Sequence, residues 1–403
     1  MRGWNDWRTS RELTPATTLR GSRAAAGIAV FGCVAIFASS GCMQRMDPKQ
    51  ARAEFSSKDQ SIATAQSAGR PTASLPPVGT GPVTLAPPAA VSGTETSARE
   101  ASELARLQLH EAQSLLRAAA RSSWAALRAH AIEASTANPA LLVELAPAGL
   151  ADENRGVRFV TCMAIAREPS EDLAVLVQPL VTDESESVRA SALLALSRCG
   201  KKVDPGPIAA MAFSNNPEVR ANAYLVLGEM GNRSAVPLIY DSLTKGLELV
   251  NPVRVRLIGL AASEALVKLG EAREIEPIRA ALFAPPEQSE LTVVACGAIG
   301  RLKDEVARPM LERLLTVSGE ARRSPEIRLS AATALMELGG NPKLAVAIAQ
   351  EYLGNGDPRI RAVVAVLLGK ARCPEATTIL TNLIRDTDPT VQVAAAAGLE
   401  AVD

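Results

Sequence analysis

The apolar positions between residues 357 and 369 fall at helical spacing, and the residues at either end mark where a helix starts and stops. Ile360, Val363, Val364 and Leu367 stand at i, i+3, i+4 and i+7, one face of a 3.6-residue period. Asp357 can accept from the first free N–H groups of such a helix, and Pro358 beside it has no N–H to leave unpaired. Ala362 and Ala365 let a neighbouring helix come close, and Gly369 is expected to end the run. About eleven residues of helix do not stand alone in water, so this segment needs neighbours.

Repetition supplies them. The hydrophobic–basic pair of Ile360-Arg361 recurs as Leu127-Arg128, Val157-Arg158, Val188-Arg189, Val219-Arg220, Val255-Arg256 and Ile327-Arg328, with degenerate copies at Leu291-Thr292 and Val391-Gln392. Successive spacings are 30, 31, 31, 36, 36, 36, 33 and 31 residues. An Ala-rich apolar helix follows each pair, as at 190–196 and 221–228, and a second helix precedes it, as at 234–239 and 375–380. Self-similar units at this period predict an all-α solenoid of about nine stacked antiparallel helix pairs.

The motif Asp-Pro-x-Ile-Arg-Ala-x-x-Ala-x-x-Leu-Gly at 357–369, with variants at Asn216-Pro217-Glu218-Val219-Arg220 and Asp388-Pro389-Thr390-Val391-Gln392, resembles HEAT repeats in their short form, also called PBS-lyase-type HEAT-like. The resemblance covers about residues 97–403. It implies paired helices stacked in a right-handed superhelix with a concave surface. A long helix from about Ala98 to Ala120, with Leu104, Leu107, Glu111 and Leu115 in step, is then expected to cap one end, and the Ala-rich helix from Pro389 the other.

The chain divides at residues 41 and 97. Five Arg precede an uncharged run from Ala24 to Gly41, the pattern of an export signal. Ser39-Ser40-Gly41-Cys42 resembles the lipobox of bacterial lipoproteins, departing from it at Ser39, where an aliphatic residue is usual. That resemblance implies cleavage before Cys42, lipidation of its thiol and a lipid anchor. Met43, in place of the Asp of inner-membrane retention, implies the outer membrane facing the periplasm. The alternative is an uncleaved single-pass signal anchor in the inner membrane, since about 18 apolar residues just span a bilayer. Residues 42–97 are rich in Ala, Ser, Thr, Gly and Pro without helical or strand period, and read as a disordered tether. Its r.m.s. reach is about 40 Å.

Composition narrows the chemistry. Hydrophobic residues make up 47% but aromatics only 3%, so a core must be built from Ala, Leu and Val at close helix contacts. Net charge is zero, and the N-terminal Arg excess leaves the body slightly acidic, against the basic footprint of a nucleic-acid binder. The histidines, His110 and His130, each stand alone on a helical stretch. Cys162, Cys199, Cys296 and Cys373 read as small core residues, without CxxC spacing for a metal. Neither a phosphate-loop nor a nucleophile-elbow motif occurs, so no catalytic residue, metal or cofactor is expected.

The conspicuous charged feature is the Arg series: Arg128, Arg158, Arg189, Arg220, Arg256, Arg328 and Arg361. Its expected role is structural, a ladder in which each guanidinium bonds a turn carboxylate or carbonyl of its own or the next unit. The other reading is a cationic stripe for phosphate or acidic peptide. The three consecutive 36-residue spacings place extra residues in the turns at 246–251, 285–289 and 319–324, which align on one edge of a solenoid. Glu248, Asn251, Glu287, Gln288, Glu320, Arg322 and Arg323 there form a candidate partner-binding edge. The function expected is a membrane-tethered, non-catalytic, protein-binding scaffold of the cell envelope. Rivals are an accessory subunit or lyase-like enzyme of the PBS-lyase HEAT type, and an envelope spacer.

Overall fold

The computed structural model describes residues 93–247 and 250–401. The signal segment 1–41, Cys42, most of the tether and Glu248 lie outside the described residues. The first helix begins at Gly93, inside the stretch expected to be linker.

The described residues are helical, and the helices pair along the chain. The pairs are α1 (Gly93–Ala119) with α2 (Ala125–Ala134), α3 (Pro139–Leu150) with α4 (Arg155–Arg167), and α5 (Glu171–Val177) with α6 (Glu186–Arg198). Next come α7 (Gly206–Met211) with α8 (Pro217–Met230), α9 (Val236–Leu243) with α10 (Pro252–Lys268), and α11 (Ile275–Ala281) with α12 (Ser289–Leu302). The last are α13 (Arg308–Thr316) with α14 (Pro325–Glu337), α15 (Pro342–Gln350) with α16 (Pro358–Ala371), and α17 (Pro374–Leu383) with α18 (Pro389–Glu400).

Local chemistry sets the even helices' starts. Asn154, Asn216, Asn251, Asp357 and Asp388 each accept from the N–H two residues on, and four of the five are followed by Pro at the first helical position. The expected stop at Gly369 is not used. Helix α16 continues to Ala371, which is buried, and turns only at Arg372, in the left-handed region at φ 45°.

Each even helix packs on the next, from α2 to α18, and each odd helix covers its own partner from outside. An even helix is therefore flanked on three sides, which is why the single apolar face expected of it is too narrow. Helix α4 is buried from Gly156 through Ala166, and α18 from Val393 through Glu400. Small residues make this possible. A Cβ on Gly228 would stand 2.9 Å from Ala265 Cα, and one on Gly398 would stand 3.3 Å from the Ala365 carbonyl oxygen.

The two ends expected to cap opposite extremities meet instead. Helix α18 packs against both α1 and α2, so the series of even helices closes on itself. Apolar burial drives the closure. Ala112, Leu116 and Ala119 of α1 are buried, whereas Leu104 and Leu107, in step at helical spacing, are exposed. Arg385 reaches Glu111 of α1 at 3.1 Å, and Asn138, just past α2, donates to Glu400 of α18 at 3.3 Å.

Candidate functional site

Every turn within a pair lies on one edge of the ring, and the Arg series is anchored there. The Arg128 guanidinium donates Nε and Nη2 to Asp152 at 2.7 Å each, and Nη1 to the Ser122 carbonyl at 2.9 Å. Arg158 repeats this one unit on, with a fork to Asp183 at 2.8 and 2.9 Å and Nη1 on the Asp152 carbonyl. Arg361 does so again with Asp386 and the Asn355 carbonyl. Each aspartate also accepts from the N–H two residues ahead, which folds the turn into its next helix. The pairs shift both partners. The fork to Asp386 raises Arg361 above its ordinary value. Burial alone would push the Asp386 carboxyl up, but Arg361 and the Asp388 N–H hold it low.

Elsewhere the series is modified. Arg189 donates to the carbonyls of Asp183 and Glu184, with Glu186 at 3.6 Å. Arg220 is fully buried and donates Nε to the Ser214 carbonyl and Nη1 to those of Ser242 and Lys245. Arg328 binds Glu351, the Tyr352 hydroxyl and the Leu315 carbonyl. Arg256 is exposed and donates to the Gln288 side-chain oxygen. In the degenerate units Thr292 donates to the Ala281 carbonyl, and Gln392 donates to the Asp386 carbonyl that an Arg would have taken.

The three longer turns lie on this edge. Asn251 caps α10, Gln288 accepts from Arg256, and Arg322 pairs with Glu351 at 2.6 Å. Glu287 and Glu320 are exposed, and Arg323 is half-buried. Phe283, beside the middle turn, is 46% exposed.

A second set of charges, which the sequence reading missed, lies on the inner face near the opposite edge. Arg167, Arg198, Glu229, Arg301, Glu337 and Lys370 each stand nine residues after a ladder position, and Glu264 and Glu400 eight after one. Arg198, Glu229, Lys268, Glu264 and Arg301 form one connected network over α6, α8, α10 and α12, through contacts of 3.5, 2.8, 2.9 and 2.7 Å. Lys370 bonds Glu337 at 2.8 Å. Glu337 lies against Gly300, where any side chain would collide with it. Burial pushes the Glu264 carboxyl up, but Arg301 and Lys268 together outweigh it and hold the group well below the usual carboxylate range. At the other end of the inner face Arg155 of α4 reaches past α6 to Glu218 of α8, at 3.4 Å. A charge recurring at a fixed offset inside an otherwise apolar helix was the available signal.

His110 is exposed, and His130 is half-buried with both ring nitrogens shielded from solvent, its pKa lowered by burial to about 4. Cys162 and Cys296 are buried free thiols pushed up to about 12 by burial, while Cys199 and Cys373 are half-buried, not core. Among the described residues no group of three or more His, Cys, Asp or Glu is placed to hold a metal, and no helix is long and apolar enough to cross a membrane.

No family model matches the chain, and no curated protein matches it. Among solved structures it is similar to an engineered protein from the Northeast Structural Genomics Consortium, at 20% identity over 50% of this chain and 97% of that one, with a TM-score of 0.29.

Proposed function

We propose that this chain is a HEAT-like solenoid, closed end to end, that is held at the cell envelope by a lipid on Cys42 and binds a protein partner without catalysing a reaction. The observation that carries the reading is the edge formed by the turns at 246–251, 285–289 and 319–324. Its exposed groups, including Glu287 and Glu320, ride on turns tied to the ring by Arg256–Gln288 and Arg322–Glu351. A surface pinned in this way loses little conformational freedom on binding. The ladder arginines support the same reading from the other side. Arg128, Arg158 and Arg361 spend their forks on internal aspartates, which leaves the cationic-stripe alternative little free charge.

The test is cross-linking of the full chain in its native envelope, followed by mass spectrometry. One stoichiometric protein cross-linked through residues 246–324, and lost when the three turns are shortened to the length of their neighbours, is the expected result. Cross-links that persist unchanged after shortening remove this edge, and diffuse wall material in place of a protein favours a spacer. Palmitate labelling of wild type but not of Cys42→Ser is expected. An unlabelled wild type ends the lipid-anchor reading.

A further inference from the structure

Helix α2, one of the helices on which the ring closes, carries a buried carboxyl group with no hydrogen bond. Glu133, in the last turn of α2, is 8% exposed, and neither of its side-chain oxygens has a hydrogen-bond partner. Helix α2 is packed between α1, α3, α4 and α18, and it is through α2 and α1 that the last helix joins the first. The charged groups facing Glu133 come from both sides of the seam: Arg167 at the end of α4 and Lys370 of α16. Lys370 is already committed to Glu337 at 2.8 Å, so an ionised Glu133 would have to compete for it. Glu400 of α18 is buried in the same seam, where Asn138 donates to it and its charge is felt by Arg117 of α1. His130 stands one turn earlier on α2.

We propose that Glu133 is a proton-operated latch on the ring: protonated, it lets α18 close against α1 and α2; ionised, it must reach water and so opens that seam. A buried carboxylate without a hydrogen bond is costly, whereas the neutral acid is tolerated there. The direction follows from the closed-state pKa, raised by burial to about 8 against the pull of Arg167 and Lys370. An opened seam returns the group to an ordinary value near 4.5, so opening releases a proton and is favoured as pH rises from about 4.5 to about 8. His130 has the opposite sign. Its closed-state value of about 4 makes opening take up a proton between about pH 6.5 and 4. The two offset each other at mildly acid pH, and Glu133 acts alone from about pH 6.5 to 8.

Hydrogen exchange on the full chain, corrected for intrinsic rates, reads the seam directly. In wild type, protection in α1, α2 and α18 should fall by up to about tenfold per pH unit between pH 6.5 and 8 and then level off, the limit for one linked proton. Protection in α8 and α10 should stay flat. Glu133→Gln, which keeps the neutral shape, should abolish the fall. Arg167→Gln removes a group that favours ionisation and should carry the plateau to higher pH. The same fall in Glu133→Gln, or a fall shared equally by every even helix, would overturn the proposal. So would an unmoved plateau in Arg167→Gln, which decides the matter if Glu133→Gln does not fold.

Discussion

Asn138 donates its side-chain amide to Glu400 at 3.3 Å across 262 positions of sequence, and by this bond the second helix pair touches the last helix of the chain. In an open array each unit meets only its neighbours in sequence, so losing the last unit would leave the first one unaffected. Here α18 contributes packing to α16, α1 and α2 at once. Ending the chain after Thr387 should therefore lower hydrogen-exchange protection in α1 and α2, although they lie at the other end of the sequence. Unchanged protection there would mean that the seam contributes nothing to stability.

The Arg361–Asp386 fork offers a sharper measurement. Both side chains are mostly buried, at 14% and 11% exposed, and Asp386 also holds the Asp388 N–H. Asp386→Asn should cost about 2–3 kcal/mol by denaturant unfolding, somewhat below the ~3–5 kcal/mol of a fully buried pair. Because each partner left alone is an uncompensated charge, Arg361→Met with Asp386→Leu should cost less than the two single changes added together. Strict additivity would show that the pair does not act as a unit.

The ladder was legible in sequence because an Arg at a 30–36-residue period, with an Asp or Asn at the neighbouring turn, is a pattern in one dimension. The pairing of helices was legible for the same reason. Closure was not, since whether α18 meets α1 depends on a small rotation accumulated over every unit, and no single residue encodes it. The packed face of α1 was legible only in part. Leu104, Leu107 and Leu115 have helical spacing, but of these only Leu115 packs against the core, and the fully buried set is Ala112, Leu116 and Ala119, fixed by where α18 arrives. Inner-face charges such as Glu229 and Arg301 look like ordinary surface residues until the curvature brings Glu264 and Lys268 between them.

That network should make the ring acid-sensitive. The Glu264 carboxyl is held below its unfolded value, so its contribution is fully present above about pH 4.5 and is lost as pH falls through the folded value. Glu264→Gln leaves Arg301 without its bidentate partner and should cost about 3 kcal/mol at pH 7. The cost should shrink in melts taken progressively below pH 4.5, because wild type then loses the same interaction. A difference that stays constant from pH 7 to pH 3 would assign the loss to packing.

Two glycines separate helix propensity from helix approach. Gly228 of α8 and Gly259 of α10 are both interior to helices, where alanine is intrinsically favoured by about 1 kcal/mol. At Gly259 an added Cβ meets nothing within 4 Å, so Gly259→Ala should stabilise the protein by about 0.5–1 kcal/mol. At Gly228 the Cβ would stand 2.9 Å from Ala265 Cα and 3.1 Å from its Cβ, both on the rigid backbone side of α10. Gly228→Ala must therefore push α8 from α10, and should destabilise by about 1–3 kcal/mol despite the propensity gain. In a closed ring that displacement cannot be relieved by splaying the ends, so it should also loosen the seam at α18. Thermal melts of the two variants with opposite signs would establish that close approach, and not helix content, limits the stability of this ring. A stabilising Gly228→Ala would show that the α8–α10 spacing relaxes freely.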